Sequence, residues 1–220
     1  MIKGAIFDAD GTLLDSMKMW EDTGTRYLIK LGKTAAPDLN SILFTMTLEE
    51  GSAYLKKQYG LGETPDEIKN GILGAITDYY RYEVRLKPGA QLFLHNLFLK
   101  NVPMVIATTG DKELLEMALK RLNIHNYFKQ IFTCTELNTS KKESFIYRKA
   151  ATYMNIDPEI IFVFEDVLHA ILSASSAGFR TVAVEDESSK NYKNEIKHCA
   201  DYYMTDFHDF DSFWKYASRI

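Results

Sequence analysis

The sequence predicts an α/β fold, a Rossmann-like parallel sheet core with an inserted α-helical domain, on three observations. Short apolar runs rich in β-formers recur at residues 3–7, 102–107, 130–134, 160–164 and 180–184. Helical patterns fill the intervals between the later runs, and that alternation builds a parallel sheet with helices on both faces. Between the first and second runs, residues 16–86 are too many for a crossover and too strongly patterned for a loop.

The first run, Ala5-Ile6-Phe7, passes directly into Asp8-Ala9-Asp10-Gly11-Thr12. Side chains two apart on a strand share a face, so Asp8 and Asp10 are expected to leave the sheet on one side. Carboxylates held that close repel unless a proton or cation sits between them, although an Asp-Gly pair also serves simply to close a strand. Met17, Trp20, Gly24, Tyr27, Leu28 and Leu31 then keep a helical period, and helical stretches continue through 48–59, 65–81 and 91–100. Residues 16–86 therefore read as an inserted helical domain. Leu86-Lys87-Pro88-Gly89 is its return hinge, and 1–15 with 87–220 form the α/β core. In the core, Leu114, Leu115, Ala118, Leu119 and Leu122 fall on one helical face. Val167, Ala170, Ile171, Ala174 and Ala177 fall on another, closed by Gly178.

Composition narrows the function classes. The chain has 220 residues, is 46% hydrophobic and 25% charged, and carries a formal charge of −4, which offers no footprint for nucleic acid. The insert is equally neutral, with nine Lys/Arg against ten Asp/Glu. Cys134 and Cys199 are too few for a disulfide framework or a zinc site, and the five histidines lack ligand spacing. No apolar stretch is long enough to cross a membrane, and residues 1–7 do not form a signal peptide, so a cytoplasmic location is expected.

Parallel sheets bind ligands at the carboxyl ends of their strands, and polar residues stand at those ends here. The second run closes on Thr108-Thr109-Gly110-Asp111 before a helix, where hydroxyls and free amides could hold an anion; Thr108, Thr109 or Asp111 could equally cap that helix. Lys141 or Lys142 opens the next helical pattern, a position the helix dipole disfavours unless an anion lies alongside; Lys141 is favoured. The fourth run, Ile160-Ile161-Phe162-Val163-Phe164, meets Glu165-Asp166, and two acids after a buried strand are costly unless solvated, capping or holding metal.

Taken together, Phe-Asp-Ala-Asp-Gly-Thr-Leu-Leu-Asp-Ser, the strand closing on Thr108, the lysine before Phe145-Ile146-Tyr147, and Val-Phe-Glu-Asp followed by Ile171, Ala174 and Ala177-Gly178 resemble the four motifs of the haloacid dehalogenase superfamily, in order. Two prolines of the usual third motif are replaced by Lys142 and Ser144, and its phenylalanine by Tyr147. The resemblance implies a helical cap at residues 16–86 and hydrolysis of a small phosphate ester through an aspartyl-phosphate. It implies Asp8 as nucleophile, Asp10 as acid and base, and Thr108, Thr109 and Lys141 around the phosphate. Oxygen-only ligands suit Mg2+, held by Asp8, Asp166 and the Asp10 backbone carbonyl, with Glu165 nearby. The acid at Asp10 favours phosphate esters over carbon–halogen or carbon–phosphorus bonds.

The expected activity is phosphatase action on a sugar or polyol phosphate. The nearest alternative is a sugar phosphomutase. That mutase group carries a cap histidine where this chain has Trp20, and Trp20 cannot shuttle a proton. Trp20 is expected either to face the site or to pack in the cap core beside Met17 and Tyr27. A non-catalytic phosphate-sensing module would need neither the insert nor Asp10. Arg26, Lys30, Lys56, Arg81 and Arg85 are candidates for substrate contact by residue type only, and the sequence sets no oligomeric state.

Overall fold

The computed structural model describes residues 1–43 and 46–219. Six parallel strands form one sheet: β1 (Gly4–Phe7), β2 (Met104–Thr108), β3 (Phe128–Thr133), β4 (Ile161–Glu165), β5 (Arg180–Val184) and β6 (Tyr202–Met204), in the order β3-β2-β1-β4-β5-β6. The chain runs outward from β1 on one side and from β4 on the other. The reversal of strand order between these neighbours opens a crevice at their carboxyl ends.

Both faces of the sheet are buried, and the central strands show why. Phe7 and Phe164 are paired in register and stack at 4.2 Å. On that face Phe93, from α5 (Ala90–Leu99), meets Phe164, Phe207, Phe210 and Phe213 at centroid distances of 5.1 to 5.7 Å. Ile6 and Val163 point the other way, into a cluster with Val105, Ile146, Tyr147, Ala150 and Ala174. Strand alternation thus divides the core into an aromatic layer and an aliphatic layer, and neither leaves the central strands any freedom of register.

The chain divides into two compact units, Met1–Asp15 with Arg85–Ile220, and Ser16–Val84. The second contains α1 (Met17–Lys30), α2 (Leu39–Leu43), α3 (Leu48–Tyr59) and α4 (Pro65–Asp78). Capping boxes start the last two: Thr47 pairs with Glu50 and Thr64 with Glu67, each hydroxyl accepting from the third helical amide. Tyr27 of α1 packs where Gly71 of α4 has no side chain; a Cβ there would lie 2.4 Å from the ring. The remaining core helices are α6 (Lys112–Arg121), α7 (Phe145–Met154), α8 (Leu168–Ser176), α9 (Lys193–Cys199) and α10 (Phe210–Ala217). No helix among the described residues is long and apolar enough to cross a membrane.

Several expectations need correction. β6 has three residues, too short to register as an apolar run. The helix expected over 65–81 ends at Asp78 and continues as a π-helix, Tyr79–Glu83. The buried face of α1 is Met19, Gly24, Tyr27 and Leu28, while Trp20 and Leu31 are exposed. Trp20 is 42% exposed because its indole N–H reaches the Tyr80 hydroxyl at 3.2 Å instead of turning into the helical core.

Phe93→Ala should cost about 3–5 kcal/mol, read as a lowered urea midpoint, because four rings lose their common partner. Leu92→Ala on the same helix, 63% exposed, should stay within about 0.5 kcal/mol of the parent.

Candidate active site

Beyond β1 the backbone departs from strand geometry within two residues. The Asp8 amide still donates to Phe164 O at 3.0 Å, extending the sheet by one bond. The Ala9 carbonyl then accepts from both Leu13 and Leu14, and the Gly11 amide donates to Leu14 O, closing a tight loop. Gly11 has φ +84°, and a Cβ there would fall 2.5 Å from Asp166 Oδ2. Glycine is therefore required twice over, for the left-handed turn and for the close approach of the Asp166 carboxylate.

This loop, the end of β4 and the segment before α7 converge. Asp8, Glu165 and Asp166 each present a carboxylate oxygen within 4.8 Å of the others, and all three are buried. Lys141 Nζ pairs with Asp8 Oδ1 and, at 2.7 Å, with Glu165 Oε1. The Tyr147 hydroxyl donates to the same Glu165 Oε1 at 2.8 Å, and the Thr12 hydroxyl donates to Asp166 Oδ1 at 2.9 Å. Glu165 Oε2 and Asp166 Oδ2 are buried with no hydrogen-bond partner among the described residues.

One ammonium faces three carboxylates, and the titration behaviour follows. Burial, then the charge of Asp8, pushes Asp166 well above the usual carboxylate range. Burial likewise raises Glu165 to about 7, against the opposing pull of Lys141. For Lys141, burial favours the neutral amine, but Asp8 and Glu165 outweigh it and the ammonium is held above its ordinary value. Two orphaned oxygens, all-oxygen donors and more carboxylates than one ammonium can balance fit a hard divalent cation such as Mg2+.

The other candidate residues take definite places. Asp10 lies outside the three-carboxylate group, half-buried, with its Oδ2 beside Gly110; a Cβ on Gly110 would be 2.9 Å from it. Thr108 is buried at the end of β2, and its oxygen accepts from the Gly110 amide at 2.9 Å, which leaves the hydroxyl proton to donate. Thr109 is exposed, and the cap of α6 is Asp111, which accepts from the Leu114 amide at 3.0 Å. Lys141 does not open a helix. It lies in a turn, and α7 begins only at Phe145, so the two buried acids and not a helix dipole account for its position. Lys142 is exposed. Asp166 is not a helix cap either: Val167 holds that position, with no side-chain bond.

Sequence reasoning assigned no role to Thr12 or Tyr147. Thr12 carried no signal beyond its place in the first motif. Tyr147 did: a hydroxyl on the otherwise apolar face of α7 needs a buried partner.

Residues 5–184 match the family model of haloacid dehalogenase-like hydrolases. The chain is 25% identical over 182 residues to the phosphorylated carbohydrates phosphatase of Thermotoga maritima, covering 82% of this chain and 84% of that one. It is 26% identical over 186 residues to the validoxylamine A 7'-phosphate phosphatase of Streptomyces hygroscopicus, covering 84% and 86%. In fold it is similar to a HAD family hydrolase from Deinococcus radiodurans crystallised with phosphate and sodium, at TM-score 0.75 and 20% identity over 99% of this chain and 96% of that one. With the motif order, the sheet topology and a match over most of its length in agreement, the chain belongs to the haloacid dehalogenase-like hydrolase family.

Proposed function

We propose that this hydrolase is a Mg2+-dependent phosphatase of small phosphorylated metabolites, a sugar or polyol phosphate, working through an aspartyl-phosphate on Asp8. The observation that carries the reading is the buried set of Asp8, Glu165, Asp166 and Lys141 at the crevice between β1 and β4. Support for the substrate class comes from the relatives, one named for phosphorylated carbohydrates and one for validoxylamine A 7'-phosphate.

Asp8, Glu165, Asp166 and the Asp10 backbone carbonyl would hold the cation. When bound, the cation supplies the positive charge that lets a phosphate dianion approach a carboxylate. Lys141 and the Thr108 hydroxyl bind the non-bridging phosphate oxygens, with Thr109 contributing from the same turn. An Asp8 oxygen attacks phosphorus in line, the ester P–O bond breaks, and the departing alkoxide takes a proton from Asp10. A water then returns a proton to Asp10, its oxygen attacks the acyl phosphate, and phosphate leaves with Asp8 regenerated. Positioning and electrostatics provide most of the acceleration in such a transfer. The helical unit Ser16–Val84 serves as the cap that selects the leaving group. Trp20 offers no proton relay to delay hydrolysis, so the acyl phosphate passes to water.

The test is phosphate release from a panel of sugar, polyol and nucleotide phosphates, with and without Mg2+. Release from hexose or pentose phosphates is expected with Mg2+ and without a bisphosphate activator, and Asp8→Asn should abolish it. Conversion of β-glucose 1-phosphate to glucose 6-phosphate faster than phosphate appears would overturn the phosphatase reading in favour of a mutase. Substantial turnover by Asp8→Asn would overturn the mechanism.

Asp10→Asn should lose about 10²–10⁴-fold in turnover of alkyl phosphates. It should lose less with p-nitrophenyl phosphate, whose leaving group needs little protonation, and should retain its Mg2+ affinity by calorimetry. Asp166→Ala should weaken Mg2+ binding itself. An equal metal-affinity defect in both variants would contradict this division of labour.

A further inference from the structure

We infer that Tyr147 is a positioning residue that presents Glu165 to the cation of the proposed site, an inference that rests on the reading of that site given above. Tyr147 is fully buried in the first turn of α7, in the aliphatic cluster with Ile6, Val105, Ile146 and Val163. Its ring meets the edge of Phe179 at 6.1 Å. Nothing in that packing calls for a hydroxyl, and burying one is unfavourable unless it is hydrogen-bonded. The hydroxyl is answered by Glu165 Oε1 at 2.8 Å.

The consequence lies in how the two oxygens of Glu165 are used. Oε1 receives two donors, the Tyr147 hydroxyl and, at 2.7 Å, the Lys141 ammonium, whereas Oε2 receives none among the described residues. Lys141 cannot fix the carboxylate plane by itself. It is shared with Asp8, and its ammonium is a point charge on a flexible stem. Tyr147 is held by ring packing on a helix, so its hydroxyl has one direction to offer. It ties down Oε1 and leaves Oε2, buried and without a hydrogen-bond partner among the described residues, as the oxygen that Glu165 can offer within the three-carboxylate group. Partners behind a metal ligand commonly set its orientation and affinity in this way.

Calorimetric titration of the metal-free protein with Mg2+ tests the inference, because it reads affinity without turnover. Tyr147→Phe keeps the ring and should weaken Mg2+ binding about 10-fold with unchanged far-UV circular dichroism. If the hydroxyl acts through Glu165, adding Tyr147→Phe to Glu165→Gln should change the affinity by less than about twofold. Phe179→Leu removes the ring contact along with some core packing and should lower the melting temperature while leaving Mg2+ affinity within about twofold of the parent.

Wild-type affinity in Tyr147→Phe would overturn the inference, as would the same fold-loss in both backgrounds or an equal loss in Phe179→Leu. A Tyr147→Phe chain that failed to fold would also contradict it, since a hydroxyl acting only through Glu165 leaves the packing intact. Absence of saturable Mg2+ binding in the parent protein would instead overturn the cation reading on which the inference stands.

Discussion

Three buried carboxylates gathered around one ammonium are the constraint on which the rest of this candidate site depends. Asp8, Glu165 and Asp166 repel one another in a medium that screens poorly, and Lys141 offsets only part of that repulsion. The surrounding residues answer this imbalance one by one. Thr12 takes an oxygen of Asp166, Tyr147 takes an oxygen of Glu165, and Gly11 gives up its side chain so that Asp166 can approach the backbone. Removing any one carboxylate would relieve the repulsion, so their joint presence points to function and not to stability.

The sheet makes this crowding tolerable. Phe7 stacks on Phe164 one residue before Asp8 and Glu165 respectively, so the aromatic layer fixes the two strand ends that deliver the acids. The opposite face delivers Tyr147 through the aliphatic cluster. A shift of one residue in the pairing of β1 with β4 would exchange the two faces and scatter the site, which is why core register and site geometry are the same problem. Phosphoryl transfer asks chiefly for charges held at fixed positions, and a double-faced parallel sheet is well suited to hold them.

What was legible in the sequence follows from the range of the interactions involved. The five longer strands were readable because each is a locally apolar run, and the acids were readable because they stand directly at strand ends. β6 was not, since three residues bearing two half-exposed tyrosines make no run. Placing Lys141 at a helix start was an error of local reasoning: its position is set by Asp8 and Glu165, which lie far away in sequence. Trp20 and Leu31 kept a helical period that the packed helix does not use, because Met19 supplies the buried side chain there. Thr12 and Tyr147 matter through partners 154 and 18 residues distant, and no spacing rule reaches them.

The charge imbalance also sets the most direct measurement of the account. Burial raises Asp166 and Glu165 above their unfolded values, so without metal the folded state holds more protons than the unfolded chain between the ordinary carboxylate range and about 7, the value for Glu165. Stability contributed by these groups is therefore lost as pH rises through that window, and a cation, which needs the ionised carboxylates, restores more at the upper end than at the lower. Thermal melts of metal-free protein, with and without saturating Mg2+, should show a larger Mg2+-induced rise in melting temperature at about pH 8 than at about pH 5. A rise of equal size at both pH values, or none at either, would contradict the claim that the buried carboxylates form a cation site.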